Sequence, residues 1–134
     1  MIQITKDPIL AQPLIDRASK NSEAIVTFIG TVRNNADGKK VLYLEYEAFS
    51  EMAQKKLEEI AAEIRNRWKI CDIEIVHRIG RIEIGENVVV IAIGSVNRSE
   101  ALQACQYAID RIKEVVPIWK KEFYEDSSSW IGHA

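Results

Sequence analysis

The sequence is short of the residues that staple chains, bind metals or break elements. Of its 134 residues only two are cysteine, Cys71 and Cys105, two are histidine, His77 and His133, three are proline and six are glycine. The cysteines form no Cys-x-x-Cys pair and the histidines are far apart. Neither a disulfide scaffold nor a structural zinc site is expected, and nothing in the pattern calls for another metal or a cofactor. Neither sign of charge dominates: 18 Lys+Arg against 20 Asp+Glu leave a net −2. That excludes a globally basic binder of nucleic acid or anionic membrane, so any anion site must be local. The longest apolar run, Val88 to Ile93, is far short of the ~20 residues that span a bilayer. Lys6 and Asp7 interrupt the place where a signal peptide would carry its apolar stretch. A soluble, cytoplasmic protein is the expectation.

What is present is globular in balance, with 47% apolar and 28% charged residues. The length is slightly under that of a typical domain of ~150 residues, so a single domain over 1–134 is expected. Ile2 to Thr5 reads as a short edge strand. Asp7-Pro8 reads as an N-cap with proline at the first helical position, opening a helix with Ile9, Leu10, Leu14, Ile15 and Ala18 on one face. Residues 23–32 are rich in β-branched side chains and read as a buried strand, and Asn34 to Lys40 as an exposed, mobile hairpin connection.

Along Val41 to Ala48 the alternation puts Leu42, Leu44, Tyr46 and Ala48 on one face and Tyr43, Glu45 and Glu47 on the other. The paired acids point together, and a solvated or ion-paired face is a simpler reading than acid/base work. Ser50 can cap a long packing helix whose apolar positions, Met52 to Trp68, follow three-and-four spacing. Residues 71–78 and 87–96 read as strands flanking a short segment bracketed by Gly80 and Gly85. His77 on such a strand reads as a satisfied structural histidine rather than a ligand. Strands in runs with two long helices point to α+β, with a mixed or antiparallel sheet.

Chemistry concentrates in the last third. Asn97 with Glu100 three residues on is a capping-box pattern, and the helix it opens buries Cys105 among its apolar stripe, as a core residue rather than a nucleophile. Arg98 in the first turn has two readings: a solvated side chain, or a partner for an anion held by the free backbone N–H groups. Lys113 sits near the other end of the helix, Pro117 stops it, and alternation along the extended segment after it puts Lys120 with Ile118 and Glu122 on one face, away from Trp119, Lys121 and Phe123. Lys113 and Lys120 can therefore converge. Arg98 cannot join them within one chain, because 15 helical residues rise about 22 Å. Either there are two anion sites, or a two-fold dimer brings Arg98 of one subunit to Lys113 of the other.

Taken together, Gly30-Thr31-Val32-Arg33, Leu44-Glu45-Tyr46-Glu47-Ala48-Phe49, His77-Arg78-Ile79-Gly80, Ile84-Gly85-Glu86, Arg98, and Lys113 through Pro117-Ile118-Trp119-Lys120-Lys121-Glu122 resemble the large, catalytic subunit family of molybdopterin synthase. The resemblance runs from about Glu23 to Trp130. It implies an α/β hammerhead-like fold and a sulfur transferase of molybdenum cofactor biosynthesis, converting cyclic pyranopterin monophosphate to molybdopterin. It also implies two kinds of partner: a small ubiquitin-like subunit with a C-terminal thiocarboxylate that threads into the pocket, and a second copy of the chain, giving a heterotetramer. The family's pocket residues fall on Arg33, Arg98, Lys113 and Lys120, with Thr31, Val32, Asn97, Lys121 and Glu122 in the binding segments. Lys113 is the first choice for the tail and reacting centre, and Lys120 the second catalytic candidate. Many relatives carry histidine where this chain has Asn97, which caps a helix equally well but cannot titrate. The stretch from Asp126 to Ala134 is Ser-rich and stops early, so no cation from a longer tail is expected. Without the resemblance, an anion- or nucleotide-binding regulatory module ranks beside an enzyme.

Overall fold

In chain order the elements are β1 (Ile2–Thr5), α1 (Ala11–Ser19), β2 (Ala24–Thr31), the two-residue strands β3 (Asn35–Ala36) and β4 (Lys39–Lys40), β5 (Tyr43–Ala48), α2 (Ser50–Arg67), β6 (Asp72–Arg78), β7 (Gly80–Glu83), β8 (Asn87–Ser95), α3 (Arg98–Val115), β9 (Ile118–Phe123) and β10 (Ser128–His133). This computed structural model describes residues 1–36, 38–125 and 127–133. Asp37 of the hairpin connection, Asp126 and Ala134 of the C-terminal stretch, and the side chains of Ala36 and His133 lie outside the described residues. One sheet has the order β1-β6-β8-β2, with β1 parallel to β6 and the other pairs antiparallel; a second, antiparallel throughout, runs β10-β9-β5-β7. This is the expected α+β arrangement with a mixed sheet. No helix of the described residues is long and apolar enough to cross a membrane.

Strand β8 explains the apolar run. Its Ile91 and Ile93 belong to the main core with α2 and α3, while Val90 and Ala92 pack with Leu14 and Ala18 of α1. A strand covered on both faces has no solvent side to mark with polar residues. Its neighbour β2 is different. The expectation of a buried strand over 23–32 is corrected, because β2 alternates and leaves Ile25 and Ile29 38% and 41% exposed. β2 lies at the edge of the sheet, and the nine-residue α1 is too short to cover it fully.

The first helix also departs from the reading of Asp7-Pro8. It starts at Ala11, with Leu10 at the N-cap and no side-chain cap. Pro13 accounts for the delay: in a helix opening at Pro8, it would have to donate to the Ile9 carbonyl, and it has no N–H and a ring that clashes there. In the observed helix Pro13 sits in the first turn, where no donor is needed, and the Ile9 carbonyl accepts instead from Asn87 Nδ2 at 3.0 Å. Arg17 of α1 then reaches across to the buried Glu74 carboxylate of β6 at 2.8 Å.

Helix α2 carries its expected stripe, Ala53, Leu57, Ile60, Ala61 and Ile64, but its N-cap is Phe49, one residue before Ser50, and it has no side-chain cap. In α3, Asn97 caps as expected, accepting from Ser99 N and Glu100 N. The return half of the capping box is absent: Glu100 accepts from Lys69 N, and Asn97 N donates to Ser95 Oγ. Both ends of that box found partners in neighbouring segments.

The chain leaves one sheet for the other at Gly80, whose φ of +87° suits glycine. His77 stands just before this switch, 2% exposed. Its Nδ1 lies 2.8 Å from the Arg78 carbonyl oxygen, and its ring meets Tyr46 edge-on. Burial pushes its pKa down to about 4.

Two stability outcomes follow from this packing. A Cβ at Gly94 would collide with the Ala18 carbonyl and the Ser22 side chain, and a backbone carbonyl at a helix end cannot swing away. Gly94→Ala should lower the unfolding free energy by about 1–3 kcal/mol in a denaturant titration. For His77, the proton binds more weakly in the folded chain than in the unfolded one. Its contribution is therefore full above about pH 6.5 and lost as pH falls toward 4, by up to about 3 kcal/mol. Melting curves of wild type and His77→Asn between pH 7 and 4 should converge toward the acid end; parallel curves would contradict this.

Candidate active site

A cavity of about 170 Å³ opens where the two sheets and the end of α3 meet. Its floor comes from the first sheet: Phe28, Gly30 and Thr31 of β2, Val88, Val89 and Ile91 of β8, and His77 of β6. A bulge between Gly30 and Thr31 interrupts the alternation, so the adjacent residues Gly30 and Thr31 both line it, as do Val88 and Val89. Gly30 keeps the floor open, since a Cβ there would stand 2.9 Å from Val89 Cγ1. The other walls are Tyr46 of β5, Ile109, Ile112 and Lys113 of α3, and Lys120 of β9.

The two lysines arrive from opposite sides of Pro117. The helix ends at Val115, β9 begins at Ile118, and the ladder places Lys120 directly across from Tyr46. Ile118 and Glu122 are buried on the same face, which is the alternation read from the sequence. Glu122 accepts from Tyr124 Oη at 2.9 Å. The Tyr46 hydroxyl is pushed up to about 12 by burial and, secondarily, by the negative charge of Glu122. Tyr46 is thus a neutral phenol at the cavity wall.

Of the candidate residues, Thr31, Lys113 and Lys120 line this cavity, and the others lie elsewhere. Val32 is in the core, its backbone clasped between Glu86 O and Gly85 N. Arg33 follows it, exposed, at the base of the β3–β4 hairpin. Glu122 is buried behind the wall rather than on it. Lys121 faces the opposite side of the sheet, with its Nζ over the Phe123 and Trp130 rings and its Cα registered against Glu45. Glu45 also registers with Arg81, so the acidic pair sits on a face with cations. Asn97 and Arg98 are exposed at the far end of α3. Cys105 is a core residue whose thiol is pushed up to about 11 by burial. Among the described residues no group of three or more His, Cys, Asp and Glu is placed to hold a metal.

Sequence reasoning did not assign Tyr46 and His77 to the site. Each was placed by an apolar environment, Tyr46 on an inward face and His77 on a buried strand. The available signal was the cross-strand partner of Lys120, which no single strand reveals. What the arrangement can do is hold an anionic group between two ammonium ions in a largely apolar slot, where charge interactions are stronger than in water.

Known proteins resemble this chain in sequence and in fold. Residues 4–115 match the family model described as MoaE protein. The molybdopterin synthase catalytic subunit of Halalkalibacterium halodurans is 50% identical over 130 residues, covering 96% of this chain and 83% of that protein. That of Bacillus subtilis is 50% identical over 131 residues, covering 97% and 83%. The crystal structure of molybdopterin synthase from Staphylococcus aureus superposes with a TM-score of 0.93 at 45% identity, covering 98% of this chain and 97% of that one. On sequence and fold alike, the chain belongs to the MoaE family.

Proposed function

We propose that this chain is the catalytic subunit of a molybdopterin synthase, a cytoplasmic sulfur transferase working as a single domain over 1–134. It converts cyclic pyranopterin monophosphate to molybdopterin with sulfur from the C-terminal thiocarboxylate of a small ubiquitin-like partner. The observation that carries this reading is the convergence of Lys113 and Lys120 on one narrow cavity, in a chain half identical to proteins named as catalytic subunits. Those names themselves call for another subunit.

The chemistry fits the geometry. A thiocarboxylate end seated between the two ammonium groups is held as an anion. The thiocarboxylate sulfur first bonds to a precursor carbon in place of an oxygen substituent, which departs, giving a thioester. Water then attacks the acyl carbon and breaks its C–S bond, so the sulfur stays on the precursor and the carrier leaves as a carboxylate. Negative charge develops on the acyl oxygen in between. Donors already in place for that oxyanion lower the barrier. At about 170 Å³ the cavity is smaller than the roughly 300–1,000 Å³ of a typical small-molecule site. It takes the end of a tail, and the pterin phosphate lies at its mouth. Arg33, beside Thr31, and Arg98 from a second copy of the chain are the cations for that phosphate, arginine being suited to bidentate contact.

Reconstitution tests the reading. The isolated chain should be inert, and addition of thiocarboxylated carrier and precursor should give the dithiolene product; no product with an intact carrier would end the enzymatic claim. Lys113→Ala and Lys120→Ala should each lower kcat by about 100-fold or more. Mixed Arg98→Ala and Lys113→Ala chains should recover about a quarter of wild-type activity, since half of random dimers are mixed and each has one intact composite site. Absence of recovery would place Arg98 outside the partner's site.

A further inference from the structure

Burying a peptide tail strips water from its amide N–H groups, and each then needs an acceptor. The side chains of the cavity supply few. Its two lysines only donate, and Phe28, Val89, Ile91, Ile109 and Ile112 offer nothing polar from their side chains. The hydroxyls of Thr31 and Tyr46 can turn either way. His77 is different. Its Nδ1 faces the Arg78 carbonyl oxygen at 2.8 Å, and a carbonyl only accepts, so the ring proton is on Nδ1 and the lone pair on Nε2. The contact with the Arg78 carbonyl occupies Nδ1 alone, and the ring lines the cavity. With its pKa held near 4 by burial, the imidazole stays neutral, and an acceptor, throughout the physiological range.

We propose that His77 Nε2 accepts a hydrogen bond from a backbone N–H of the carrier's C-terminal tail and so fixes how far the tail advances between Lys113 and Lys120. This rests on the enzymatic reading above and deepens it. The contact positions the tail; no proton is transferred. The tail is favoured over the pterin because, at about 170 Å³, the cavity is smaller than a typical small-molecule site.

Two substitutions separate the nitrogens. His77→Asn retains a donor for the Arg78 carbonyl and removes the acceptor at Nε2; His77→Gln supplies an acceptor near Nε2 and gives up the donor. The expected result is that His77→Asn raises KM for the carrier about tenfold with KM for the precursor unchanged, and His77→Gln recovers most of the loss even if it melts lower. The reverse order, or a loss confined to precursor KM, would overturn the proposal. A second measurement uses the wild-type protein with ¹⁵N-labelled histidine. A peptide of the carrier's last residues should shift the unprotonated ring nitrogen of His77 upfield, and the same peptide with its final amide replaced by an ester should not. No shift with the amide peptide overturns the proposal even if product forms. A shift in a protein that yields no product would uphold the contact while the enzymatic reading fails.

Discussion

Strand β8 has to be covered on both faces, and most of the architecture follows from how this is done. The α1 side demands close approach at Gly94, where a helix end lies against the strand backbone. The other side is met by α3, the helix that β8 itself runs into after Asn97. Because α3 lies back across its own strand, its C-terminal turns come to rest over the start of β8. That is where Val88 and Val89 line the cavity and where Lys113 is delivered. Packing the strand thus places one end of the site.

The second end comes from the other sheet. Pro117 ends the helix path and sends the chain into β9, which pairs with β5 and brings Lys120 opposite Tyr46. The buried Glu122 lies on the same face of β9 as Lys120 and accepts from the Tyr124 hydroxyl. The chain as a whole is near-neutral, with a net charge of −2, yet two lysines line one cavity, and other charges pair at the surface, as in Arg81–Glu83 and Lys56–Glu59.

Local signals in the sequence were reliable where the interaction itself is local. The Asn97 cap and the alternation of Ile118, Lys120 and Glu122 depend on residues within a few positions, and both are present. Readings failed where a distant segment intervened. The Glu100 carboxylate was drawn to Lys69, and Asn87 satisfied the carbonyl that Pro13 could not. β2 looked buried because its composition reports β-propensity and not which faces its neighbours cover. In the site, the lysines were legible from charge and spacing, whereas Tyr46 and His77 were legible only as core, since cavity walls and cores draw on the same apolar environment. Arg33 and Arg98 were equally visible as cations, yet neither lines the cavity of a single chain.

The strand pairings also bear on the order in which the molecule can form. Ile2 pairs with Ile75, Ile25 with Gly94, and Leu44 with Glu122, so three ladders join segments far apart in the chain. The β6–β8 pairing and the β3–β4 and β9–β10 hairpins are local. Such topologies fold slowly because distant loops must close before any contact rewards them. The cavity draws on residues from Phe28 to Lys120 and has no local precursor. It comes into existence only with the long-range ladders, so a nascent or partly unfolded chain has no anion slot to offer.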